Sequence, residues 1–245
     1  PVTAHGLKEN GYATIATTDW LPYSWSINNV AFAEVMHTAL SYFQAGRAEA
    51  GYKLLKSSVL DGMYLGDSPG NFGQISFYDA ARGECYRDFG DPIGVASRVL
   101  IQGLFGILPD ALNKQIILRP GFPDDWDKAS VSTPDISYRF TRKEDTDTYH
   151  ITQRFQTPLH PVLQINARKE KIRSVKVNGV PATWQSIESA HGYPLLSIQA
   201  EGTSSTTITI EWEGAPLHTL AAQEVVIASN GKLALQIPSG ASISQ

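Results

Sequence analysis

The hydrophobic period of this 245-residue chain changes once, near Pro109, and that change constrains the fold more than any other feature. From Ser26 the apolar positions Ile27, Val30, Ala31, Val35, Leu40 and Phe43 recur at helical spacing, and Gly46 stands where a helix C-terminal cap is expected. Ala48, Tyr52, Leu55 and Val59 resume the period after a very short break, so 26–62 is predicted to be an antiparallel helical hairpin. Asp91-Pro92, an N-cap followed by proline at the first helical position, opens a further helix marked by Ile93, Ala96, Val99, Leu100 and Leu104.

Beyond Pro109 short segments rich in Val, Ile, Thr and aromatics take over. They are Gln115–Arg119, Ile136–Thr141, Tyr149–Phe155, Val162–Ala167, Ser174–Asn178, Leu195–Ala200, Thr206–Trp212 and Glu224–Ala228. Turn signals at Asp145-Thr-Asp, Asn178-Gly179, His191-Gly192 and Asn230-Gly231 separate several of them, which predicts an antiparallel sandwich. Three helices with broad apolar faces cannot bury those faces against one another alone, so the helical half is expected to pack on further chain upstream of Pro1.

Charge is distributed unevenly. Residues 1–125 carry 9 Lys and Arg against 13 Asp and Glu, whereas 126–245 carry 11 of each, so the whole net charge of −4 lies in the first half. Aromatics follow the same division, 16 against 8. A mildly acidic chain without clustered Lys and Arg does not fit a nucleic-acid binder. No apolar run approaches the roughly 18–20 residues of a membrane span. A single thiol, Cys85, excludes an intrachain disulfide framework and a thiolate metal cage, and the six histidines lack metal-ligand spacing, so no metal and no cofactor is expected.

Acidic and aromatic residues concentrate in two segments. Between positions 61 and 91 stand Asp61, Asp67, Asp79, Glu84, Asp88 and Asp91 against only Arg82 and Arg87, among five glycines, three Phe and two Tyr from Gly66 to Pro92. The second segment, 17–26, contributes Asp19, Trp20, Tyr23 and Trp25 ahead of the first helix. Carboxylates beside flat aromatic faces suit glycoside chemistry: one carboxyl protonates the leaving oxygen, another activates water or attacks the anomeric carbon, and aromatic faces stack on sugar rings. Blander roles compete at every position. Asp91 serves as a helix N-cap, Asp61 and Asp79 as solvated turn residues, Glu84 as an ion-pair partner of Arg82 or Arg87, and Trp20 and Trp25 as core aromatics.

The order of these parts, with Gly94-Val-Ala-Ser-Arg-Val-Leu-Ile-Gln-Gly-Leu-Phe-Gly-Ile-Leu-Pro-Asp110 and then Ile116-Ile-Leu-Arg-Pro-Gly-Phe-Pro-Asp-Asp-Trp126, resembles the C-terminal end of the six-hairpin glycosidases. That group includes α-L-rhamnosidases, inverting α-L-fucosidases and maltose phosphorylase-like enzymes. The resemblance covers roughly residues 17–126 well and the rest only generally. It implies an α + β multidomain chain, with 1–112 the last helices of an (α/α)6 toroid and 113–245 a C-terminal β-sandwich. It also implies an inverting mechanism in which the general acid comes from upstream and the two carboxyls stand roughly 6.5–9.5 Å apart. Glu84 stands where rhamnosidase-like members place a base-type Glu. Gly70-Asn-Phe-Gly73 matches part of the fucosidase phrase, but Pro69 occupies its Asp position and the phrase falls well before the final helix.

The sequence therefore points to the C-terminal part of a glycoside hydrolase acting on an oligo- or polysaccharide. Glu84 and Asp88 are the catalytic candidates; Asp19, Trp20, Tyr23, Trp25, Asp67, Asn71, Tyr86 and Arg87 are the substrate-binding candidates. The expected partners are the carbohydrate and the upstream part of the same polypeptide, and the class implies a secreted or periplasmic location. The rival reading is a non-catalytic carbohydrate-binding or scaffold module in which the acidic segment does no chemistry.

Overall fold

A computed structural model describes residues 15, 30–60, 77–79, 84–86, 91–187 and 194–217, with the backbone alone described at 77–79 and 84–86. Strand β1 (Val30–Ala31) runs directly into helix α1 (Phe32–Gln44). Phe32, Val35, Met36, Ala39, Leu40 and Phe43 form the buried stripe of α1, the 3–4 alternation that places one helix face on a core. The helix closes in a Schellman motif: the Gly46 N–H donates to the Phe43 carbonyl at 3.0 Å and the Arg47 N–H to the Tyr42 carbonyl at 2.8 Å. Gly46 takes φ +73°, a conformation that glycine adopts without steric cost. Helix α2 (Ala48–Val59) follows at once.

Strands β2 (Phe77–Asp79) and β3 (Glu84–Tyr86) pair with β1 in a three-stranded antiparallel sheet with β2 in the middle. Helix α3 (Asp91–Arg98) passes without a break into a π-helical stretch, Val99–Leu104, in which the Phe105 N–H reaches back five residues to the Leu100 carbonyl at 3.0 Å.

The remaining strands form two sheets. The six-stranded antiparallel sheet comprises β6 (Lys128–Ser132), β7 (Ile136–Lys143), β8 (Thr146–Gln153), β10 (Lys169–Val177), β11 (Val180–Pro181) and β14 (Ser205–Pro216), in the order β11-β10-β14-β8-β7-β6. The five-stranded sheet comprises β4 (Ile107–Asp110), β5 (Gln115–Leu118), β9 (His160–Asn166), β12 (Gln185–Ile187) and β13 (Leu195–Gln199), in the order β12-β13-β9-β5-β4. Its β5–β9 pair is parallel because the chain builds β6, β7 and β8 in the other sheet before it returns. Alternate residues of both sheets, among them Ile116, Leu118, Leu163 and Ile198 from one and Tyr138, Phe140, Ile151 and Ile208 from the other, enter one hydrophobic core. Helix α1 adds its buried stripe to the same core.

Two devices join helices to sheets. The first is the Phe43 ring, which lies against three glycines. A Cβ on Gly51 of α2 would stand 3.0 Å from the ring, one on Gly103 of the π-helical stretch 2.6 Å, and one on Gly121 after β5 only 2.3 Å. Gly106, at φ +64°, turns the chain into β4; a Cβ there would collide with the Arg119 carbonyl. The second is a run of aromatic rings: Tyr52 of α2 meets Trp126 edge-on at 5.0 Å, Trp126 stacks on Phe122 at 6.0 Å, and Phe122 stacks on Phe140 of β7 at 5.2 Å.

These findings correct the toroid expectation. The described helices have 13, 12 and 8 residues, strand outweighs helix, and the helices pack into the sandwich core through Phe43 instead of forming part of a helical ring. The helical period in the first half is real, but it is interrupted by β1, β2 and β3. A two-layer β arrangement after residue 107 is compatible with the strand pattern read from the sequence, although the Glu224–Ala228 segment lies outside the described residues.

Two predictions follow from this packing. Gly121→Ala forces a methyl into the Phe43 ring and is expected to cost about 1–3 kcal/mol in denaturant unfolding. In a Phe43→Leu background the same change costs measurably less, and equal costs would exclude the cradle as the cause. Burial holds the phenols of Tyr138 and Tyr149 protonated well above the ordinary value of 10.0, and the neighbouring Tyr149 adds to the effect at Tyr138, as Asp147 does at Tyr149. Because the folded values are raised, their stabilisation is fully present below pH 10.0 and is lost as pH rises past it. Tyrosinate absorbance from these two residues should therefore appear together with alkaline unfolding, and Phe substitution of either should flatten that decline.

Candidate active site in the acidic hairpin

The β2–β3 ribbon sets Phe77 opposite Tyr86, Tyr78 opposite Cys85 and Asp79 opposite Glu84. Val30 of β1 stands opposite Tyr78, so the ribbon is tied directly to the chain that enters α1, whose first residue, Phe32, is fully buried. Glu84 is thus a strand residue at the loop end of a short hairpin, and Tyr86 lies two positions along the same strand. The chain reaches α3 five residues after Tyr86, where Asp91 is the first helical residue and is exposed, while Pro92 is buried.

Of the residues singled out by sequence, Glu84 and Tyr86 are therefore placed on one strand by their backbone. Asp19, Trp20, Tyr23, Trp25, Asp67, Asn71, Arg87 and Asp88 lie outside the described residues. Sequence reasoning assigned Asp79 to a solvated turn; it is instead a strand residue registered against Glu84. The alternation Phe-Tyr-Asp and Glu-Cys-Tyr on either side of Ala80-Ala-Arg-Gly83 is the signal that could have shown this.

Among the described residues no group of three or more His, Cys, Asp or Glu could hold a metal ion. The most enclosed carboxylate there is Asp147 on β8, 1% exposed. Its Oδ1 accepts from Arg142 Nε at 3.0 Å and its Oδ2 from Trp212 Nε1 at 2.9 Å, with Arg168 Nε 3.4 Å from Oδ2. Both oxygens are engaged by fixed donors across three strands and the chain between β9 and β10, an arrangement that locks a sandwich end and leaves no oxygen for a reacting group. Asp147→Ala would strand the buried Trp212 indole N–H and remove the ion-pair partner of the half-buried Arg142. It is expected to cost about 3–5 kcal/mol in denaturant unfolding without altering a kinetic pH profile.

No protein-family model and no curated protein matches the chain. Among solved structures it is similar to an α-L-rhamnosidase from Dictyoglumus thermophilum, at TM-score 0.48 and 12% identity, over 75% of this chain and 21% of that one. It is similar also to the Streptomyces avermitilis α-L-rhamnosidase complexed with L-rhamnose, at TM-score 0.45 and 14% identity, over 76% and 18%. A third is a β-L-arabinofuranosidase from Geobacillus stearothermophilus, at TM-score 0.35 and 8% identity, over 81% and 35%. The chain thus spans about a fifth of the length of the two rhamnosidases. All three TM-scores lie below 0.5, so residue roles are taken from this chain's own chemistry.

Proposed function

We propose that this chain takes part in the hydrolysis of glycosides by carboxylate acid–base chemistry, with Glu84 as the general base that activates water and Asp88 as the second candidate. The observation that carries the reading is the pairing of Asp79 with Glu84 inside the most acidic and aromatic part of the chain. Opposed positions in an antiparallel pair have Cα atoms about 4.5–5.5 Å apart, and like charges at such positions weaken the pairing. A hairpin that keeps two acids there forgoes stability that a neutral pair would retain. The sequence resemblance to glycosidases supports the same class, with inversion as the proposed stereochemical outcome, and the class supports export to the cell exterior or periplasm. Asp19, Asp67, Asn71 and Arg87 would take sugar hydroxyls, and Trp20, Tyr23, Trp25 and Tyr86 would supply stacking faces.

The test is kinetic, on the complete polypeptide that carries this chain. Glu84→Gln is expected to lower kcat by at least about tenfold, equivalent to about 1.4 kcal/mol, with KM little changed. A Glu84→Gln enzyme with kcat within tenfold of the parent would exclude the catalytic role. Proton NMR of the first-formed sugar anomer reads the stereochemistry.

A further inference from the structure

A cleft of about 470 Å³ opens at the side of the sandwich, between the β10–β11 turn and the ends of β5, β9 and β13. This volume lies within the range of small-ligand sites, about 300–1,000 Å³. The register assembles its lining from distant parts of the chain: Gln115 stands opposite His160 across the parallel β5–β9 pair, and Gln199 opposite Val162 across β9–β13. Facing them is the Asn178-Gly179 turn, both residues at positive φ, +51° and +80°, as a tight two-residue hairpin turn requires. The side-chain oxygen of Asn178 accepts the Thr207 N–H at 2.8 Å, which fixes the amide plane and leaves its NH2 group free to donate. On the opposite wall the Gly202 N–H donates to His160 Nδ1 at 3.1 Å, so in the neutral ring the proton sits on Nε2 as a second donor. Glu201 brings an exposed carboxylate to the rim, 3.6 Å from His160.

We propose that this cleft is a binding site for a neutral, polyhydroxylated ligand, a single terminal sugar residue or a comparable polyol. Three carboxamides, Gln115, Gln199 and Asn178, converge on it, and among the described residues the two glutamine side chains make no hydrogen bond. A carboxamide donates and accepts at once, the pattern that matches an array of hydroxyls. Glu201 opposes an anion, and one rim carboxylate is a thin charge for holding a cation. Among the described residues the lining holds no Phe, Tyr or Trp ring, so the site lacks the broad stacking platform that internal residues of a polymer use; it suits a chain end or a free sugar held through its edges. Val162, Val177 and Ala182 supply an apolar floor for ring C–H groups. Gly202 keeps the wall close-packed: a Cβ there would stand 2.9 Å from the Pro158 carbonyl.

This inference shares with the catalytic reading only the class of ligand, and its test reads out apart from turnover. In amide NMR titrations of the full chain, D-glucose, D-galactose and L-arabinose are offered separately, with inorganic phosphate as the anionic control. At least one sugar should give saturable shifts centred on Gln115, His160, Asn178 and Gln199, with a dissociation constant in the millimolar range. Gln115→Leu with Gln199→Leu should weaken that binding at least tenfold while circular dichroism is unchanged, and Glu84→Gln should leave it as it is. Absence of saturable shifts from all three sugars, a response to phosphate alone, or unaltered binding in the double variant would each overturn the proposal. Sugar binding here beside an unaffected Glu84→Gln kcat would remove the catalytic reading and leave this one standing.

Discussion

The ring of Phe43 has three glycines around it, and each belongs to a different part of the chain. Gly51 lets α2 approach, Gly103 lets the π-helical stretch approach, and Gly121 lets the segment after β5 pass beneath. A side chain at any of the three would hold its segment away from the ring. Close packing of this kind transmits displacement instead of absorbing it. The direction in which α1 leaves the sandwich is therefore fixed by one aromatic ring, and with it the direction of β1, which precedes α1 without a break and anchors the acidic hairpin through β2. The backbone of the acidic hairpin is linked to the cradle in this sense, through β1 and α1.

The aromatic run from Tyr52 through Trp126 and Phe122 to Phe140 gives the same junction its second attachment, and the Asp124 N–H adds a hydrogen bond of 2.8 Å to the Glu49 carboxylate on α2. The Leu118-to-Trp126 phrase thus has a physical reason. Gly121 clears the Phe43 ring, Phe122 and Trp126 bridge to α2 and β7, and Pro120 and Pro123 stop the segment from adding to a sheet. The segment is the joint that holds helices and sheets in one core.

Legibility followed locality. The α1 stripe and strands β7, β8, β9, β13 and β14 were visible because alternate or helically spaced apolar residues are local signals that burial enforces. Edge strands were not. Pro109, taken as the point where one pattern ended, lies inside β4, at a sheet edge, where a strand tolerates proline. Strand β6, Lys-Ala-Ser-Val-Ser, is polar and lies at the other sheet's edge, where charge discourages further pairing. Strand β1 has two residues and merges into the helical period that follows it. The sequence singled out Glu84 but not the strand it occupies, because the partner that defines it, Asp79, belongs to a residue class that usually marks turns. The side cleft had no local signal at all, since Gln115, His160 and Gln199 come together only through the register of β5, β9 and β13, and Asn178 comes from a turn of the other sheet.

The uneven charge of the chain acquires a meaning from this architecture. Acid and aromatic residues are what bond cleavage at an anomeric carbon needs: proton transfer groups, and flat faces to hold a ring while its conformation changes. Amides on a rigid sheet are what retention of an unreacting sugar needs, since they match hydroxyls without supplying or removing protons. Residues 1–125 hold the former set, while Asn178 and Gln199 of the latter come from the neutral second half and Gln115 from the end of the first. On the proposed reading the two groups divide the work of holding a glycan from that of cutting it.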